Sequence, residues 1–134
     1  RYSGNTAIFV NQTSVSYNEF LKVADELANQ IKKRCLVVIA CKNSFSSLAG
    51  YVGFLRAGIV PLLISNNIDC QLLSKVVESY QPNYLYLPLE KSVFFPKRKA
   101  HVFPRRQTGE NNNCLLLKAV LKIVGCQQQQ FMLL

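Results

Sequence analysis

Three short apolar runs constrain this chain most: Leu36-Val37-Val38-Ile39, Ile59-Val60-Pro61-Leu62-Leu63-Ile64 and Tyr84-Leu85-Tyr86-Leu87-Pro88. The first is continuous and too short for a helix, the pattern of a strand covered on both faces in a parallel sheet. Between the runs lie segments with helical periodicity of about a dozen residues, each opened by a residue able to cap a helix. Buried strands that alternate with helices of this length predict an α/β fold, a doubly wound parallel sheet of βαβαβ order, over residues 16–88.

Local chemistry sets the element boundaries. Thr6-Ala7-Ile8-Phe9-Val10 and Thr13-Ser14-Val15 flank Asn11-Gln12, which predicts a small β-hairpin ahead of the sheet. Ser16 and Glu19 have capping-box spacing, with Val15 and Phe20 placed to close a hydrophobic staple over the helix start. Phe20, Val23, Ala24, Leu27, Ala28 and Ile31 recur at three and four residues. They predict one helical stripe ending near Lys32-Lys33-Arg34, where basic side chains suit the negative end of the helix dipole.

The second helix is expected to start at Asn43 or Ser44, to run through Phe45, Leu48, Ala49, Val52 and Leu55, and to stop at Gly58 in the left-handed conformation. Ala49, Gly50 and Gly53 would let it press on a neighbour. Pro61 has no N–H to donate, so its strand should be irregular there or should need no donor at that point. Asn66-Asn67-Ile68-Asp69 opens a third helix, carried by Leu72, Leu73, Val76 and Val77 and ending before Gln81-Pro82.

The ordered set Thr6-Ala7-Ile8, Ser16-Tyr17-x-Glu19-Phe20, Leu27-Ala28, Asn43-Ser44, Ala57-Gly58 and Pro61-Leu62 resembles the start of the adenylate-forming (AMP-binding) synthetases and ligases. The likeness spans about residues 5–88. It implies the first part of the large N-terminal domain of a family that joins ATP to a carboxylic acid as an acyl-adenylate. The acyl group then passes to coenzyme A or another thiol. ATP, magnesium, coenzyme A and a small-molecule carboxylic acid are thus implied for a full-length member only. The family's phosphate-binding Ser/Thr/Gly-rich loop, its adenine- and magnesium-binding residues and its C-terminal lysine have no counterpart here. After Gly58 the glycines are Gly109 and Gly125, isolated from each other and unsuited to surround phosphate with backbone donors. No residue is therefore assigned to catalysis, cofactor binding or metal binding, and the expectation is a ligase fragment inactive alone.

The remaining candidates read more simply as structure. Asn43 and Ser44 are caps before they are ligand contacts, and Tyr80, Tyr84 and Tyr86 are packing residues before they are a stacking platform. His101 has no carboxylate nearby in sequence, and Ser3, Ser44 and Ser65 lack the G-x-S-x-G setting of a serine hydrolase.

Charge divides the chain. Residues 1–90 carry eight Lys/Arg against six Asp/Glu, whereas residues 91–134 carry eight against Glu110 alone, placing +7 of the net +9 in the last third. Domain limits are accordingly drawn at 1–90 for the synthetase-like portion and 91–134 for a divergent basic tail, a truncated or frame-shifted continuation read out of register beyond about residue 114. Within the tail, residues 114–125 are expected as a helix. The alternative function is a non-catalytic α/β binding module that uses Pro96-Lys97-Arg98-Lys99 and Pro104-Arg105-Arg106 to dock on nucleic acid, anionic membrane or an acidic protein. Nucleic acid is disfavoured, because no stacking platform or groove-reading motif accompanies the charge. Five cysteines without a C-x-x-C pair argue against a zinc site or a disulfide framework and for a reducing, cytoplasmic setting. No run of about 18 apolar residues predicts a membrane span. Apolar surface left uncovered predicts self-association.

Overall fold

The computed structural model describes residues 1–88, 90 and 91, together with the backbone of two further strand segments, 101–102 and 114–118. Its elements run β1 (Thr6–Val10), β2 (Thr13–Ser16), α1 (Tyr17–Ala28), β3 (Leu36–Cys41), α2 (Phe45–Arg56), β4 (Val60–Ser65), α3 (Cys70–Tyr80), β5 (Tyr84–Pro88), β6 (His101–Val102) and β7 (Cys114–Lys118). Strands β1 and β2 form the antiparallel hairpin, and the main sheet has the order β4-β3-β5-β7-β6. The β4-β3-β5 portion is parallel, as the apolar runs predict.

The alternating side chains of β3 and β5 divide the core. On one face Val37, Ile39 and Tyr86 pack with Leu27, Ile31, Phe54 and Ile59 from α1, α2 and their flanking turns. On the other face Val38, Ala40, Leu85 and Leu87 meet Ile68 and Leu73, so among the described residues α3 is the helix that covers that side. The hairpin forms a further layer on α1 and α2, with Val10, Val15, Phe20 and Ala49 buried together.

The local signals hold where hydrogen bonds between near neighbours decide them. Ser16 Oγ accepts from the Glu19 amide at 3.3 Å while Glu19 Oε2 accepts from the Ser16 amide at 3.0 Å, completing the capping box. Ser44, not Asn43, caps α2, and Asp69 caps α3 through a 2.8 Å bond from the Leu72 amide. Gly58 lies at φ 72°, and the hairpin turn holds Asn11 and Gln12 at φ 46° and 67°.

Four expectations need correction. Helix α1 ends at Ala28 because Gln30 and Ile31 turn back to Leu27 and Ala28 in i→i−3 bonds; Ile31 is buried from the turn, and the basic trio lies beyond the helix. In α2 the buried residues are Ser47, Ala49, Gly50, Gly53 and Phe54, while Leu48 and Leu55 are exposed. The small residues win that face because a Cβ on Gly50 would collide with the Tyr86 ring, and one on Gly53 with the Ala24 carbonyl oxygen. Residues 114–118 form strand β7, antiparallel to β5, in place of the start of a helix over 114–125. That strand offers β5 a ladder partner on the side away from β3; residues 119–125 lie outside the described residues. Finally, Cys70 is disulfide-bonded, against the expectation of reduced cysteines, whereas Cys35 and Cys41 are free thiols.

Candidate functional site

In an open α/β sheet the crevice for a ligand lies beyond the carboxyl ends of the strands, at the point where the winding reverses. Here β3 leads to β4 on one side, and the chain then crosses back past β3 to β5 on the other, so that point lies beyond the ends of β3 and β5. Three loops meet there. Lys42 follows β3, Asn66 and Ile68 follow β4, and Glu90 and Lys91 follow β5.

Their side chains engage one another. Lys42 Nζ lies 3.3 Å from Glu90 Oε2, and Asn66 Nδ2 donates to Glu90 Oε1 at 3.5 Å. Lys91 Nζ donates to the Ile68 carbonyl at 2.9 Å. Asn66 Oδ1 is buried without a hydrogen-bond partner among the described residues. At the start of α2, Ser47 Oγ accepts from the Lys42 amide at 3.2 Å, and Ser44 Oγ accepts from the Ser47 amide at 3.3 Å. Charge and donors at this edge therefore engage one another at the surface, tying the loops together. A cavity of about 500 Å³ opens beside it, between the hairpin turn and the start of α2, with Phe9, Asn11, Lys42, Asn43, Ser44 and Tyr51 on its wall.

The residues singled out from sequence are scattered. Ser44 is a cap and Asn43 lines the cavity; Ser3 is remote in the exposed N-terminal segment, and Ser65 ends β4, where its Oγ accepts from the Asn67 amide. Tyr86 is a packing residue, its hydroxyl donating to the Ser46 carbonyl at 2.8 Å and its ring edge-on to Phe54, while Tyr84 is half-buried and Tyr80 exposed. His101 lies in β6 opposite Leu116. Burial pushes the Cys35 and Cys41 thiols up, the latter partly offset by a backbone hydrogen bond, so neither is primed as a thiolate nucleophile. Among the described residues no three His, Cys, Asp or Glu side chains cluster as metal ligands. The sequence pattern gives Asn66 a part only in opening α3 and gives Lys42, Glu90 and Lys91 no site role. Their shared signal was available: each falls within three residues of the carboxyl end of a parallel strand.

No family model and no curated protein matches the sequence. Solved structures do match the fold. One is the Klebsiella oxytoca NpsA N-terminal subdomain in complex with 3-hydroxybenzoyl-AMSN, with a TM-score of 0.56 and 19% sequence identity, covering 63% of this chain and 23% of that chain. The α/β architecture predicted from the sequence, a hairpin followed by a β4-β3-β5 parallel sheet with its helices, is thus a fold shared with that subdomain. Among the described residues no helix is long and apolar enough to cross a membrane.

Proposed function

We propose that residues 1–90 are the opening scaffold of an adenylate-forming ligase, an enzyme that activates a carboxylic acid with ATP and then forms a thioester. One observation carries the reading. The Asn43–Leu62 segment that resembles the family runs from the loop after β3 through the capped α2 and the left-handed Gly58 into β4, within a fold shared with the NpsA N-terminal subdomain. The motif and the fold thus support the same assignment by different routes.

This portion acts as framework. Adenylyl transfer depends on donors and cations fixed around the phosphates. The carboxyl edge here commits Lys42 to Glu90 and Lys91 to Ile68, and the sequence supplies no Ser/Thr/Gly-rich loop. ATP, magnesium and coenzyme A accordingly belong to the complete enzyme, with the acid chosen by residues outside this portion. Exposed Phe9, Leu48 and Leu55 give it apolar surface through which it self-associates.

Two measurements test the reading. Calorimetric titration of the chain with Mg-ATP should show no binding; micromolar binding would mean that a nucleotide site is built from these residues. Reading the encoding DNA in its other two frames beyond codon 114 should uncover the phosphate-binding loop if the tail is frame-shifted, and its absence rejects that origin. Salt-sensitive retention on DNA or anionic vesicles would instead favour a binding module acting through the basic tail.

A further inference from the structure

We infer that the free edge of β4 is a self-pairing surface, and that Pro61 keeps it closed against a second copy of this chain. Strand β4 ends the described sheet and pairs only with β3. The Val60 amide donates to Cys35 and the Asn66 amide to Cys41. Because backbone direction alternates along a strand, residues 60, 62, 64 and 66 aim their N–H groups at β3, while Pro61, Leu63 and Ser65 face outward. The register from Leu36↔Val60 to Cys41↔Ser65 is unbroken, so the proline distorts nothing. It sits at one of the three outward positions, where its ring replaces an edge N–H.

The rest of the edge invites pairing. Val60 and Leu63 are 44% and 48% exposed, and β4 carries no charged side chain. An antiparallel two-fold pairing centred on Leu63 would set residue 61 against residue 65 of the other copy, and Leu63 against its equivalent. With a donor at 61 this pairing makes six inter-copy hydrogen bonds. With Pro61 in both copies, two are lost and the ring blocks the approach of the facing carbonyl. Edge strands are commonly guarded by proline or charge against this kind of association.

The test compares the full chain with Pro61→Val and Pro61→Thr, two β-branched replacements either of which suffices. Sedimentation equilibrium should show self-association at least tenfold tighter in the variants. Amide exchange at Leu63 and Ser65 should slow with protein concentration in the variants and not in the parent. Adding Leu63→Lys to Pro61→Val should return association to the parental level. Unchanged association, or tighter association without protection of the Leu63 and Ser65 amides, overturns the proposal. The second result would place the contact on side-chain surfaces such as that of Phe9 and Leu48 instead of the strand edge.

Discussion

The two faces of the sheet are covered by different means. On one face α1 and α2 interlock: Gly53 lets α2 reach the Ala24 backbone, Gly50 admits the Tyr86 ring, and Tyr86 bonds to Ser46 across the helix start. On the other face α3 is the one helix among the described residues, and Leu73 is its one buried residue. The first face is specified by close backbone approach, where a single methyl has nowhere to go. The second is specified by apolar patterning, which tolerates adjustment.

Substitutions can break that comparison. The largest effect is expected for Phe54→Ala, which empties the centre of the interlocked face and should cost about 3–5 kcal/mol in urea unfolding. Leu73→Ala should fall near the lower end of the range for buried leucine, about 2 kcal/mol, because a lone helix can settle toward the sheet. Equal losses would mean that both faces are packed alike. Gly53→Ala should cost about 1–3 kcal/mol by overpacking against the Ala24 carbonyl, whereas Gly4→Ala, with nothing within 4 Å of the added methyl, should leave stability unchanged. Removing the α3 cap with Asp69→Ala should cost about 1 kcal/mol, lowering the melting temperature without altering the interlocked face.

The smallest effect is a pH dependence confined to the first face, against which Cys35 and Cys41 pack. Burial raises both thiols in the folded state. Unfolded thiols ionise near about pH 8.5, so the folded state binds more protons above that value and stability declines as pH rises toward the folded pKa values. A Cys35→Ala/Cys41→Ala variant should show a flatter stability profile above pH 8.5 in thermal melts.

Legibility followed the range of the interaction. The capping box at Ser16, the stop at Gly58 and the Asn11-Gln12 turn depend on atoms a few residues apart and could be read directly, while the other two caps could be read only to within a stretch, the structure choosing Ser44 over Asn43 and Asp69 from the run 66–69. The buried face of α2 could be read in part: Ala49, Gly50 and Gly53 marked the close approach that Ala24 and Tyr86 make, whereas Leu48 and Leu55, which hydrophobicity places on the same stripe, are exposed. The end of α1 was misplaced for a related reason: Ile31 continues the helical spacing yet reaches the core from a turn. The carboxyl-edge cluster was missed because Lys42, Asn66 and Glu90 are far apart in the chain and meet only when three parallel strands align.

Sequence by itself determined the α/β class, the hairpin, the three parallel strands and their capped helices, since periodicity and capping are properties of contiguous residues. Tertiary structure alone decided that Leu48 and Leu55 face away from the core, that β7 joins the sheet beside β5, that Lys42 and Glu90 neutralise each other, and that Pro61 faces the open edge. Each of these depends on the distance between segments remote in sequence, where steric fit and the pairing of backbone donors outweigh local preference.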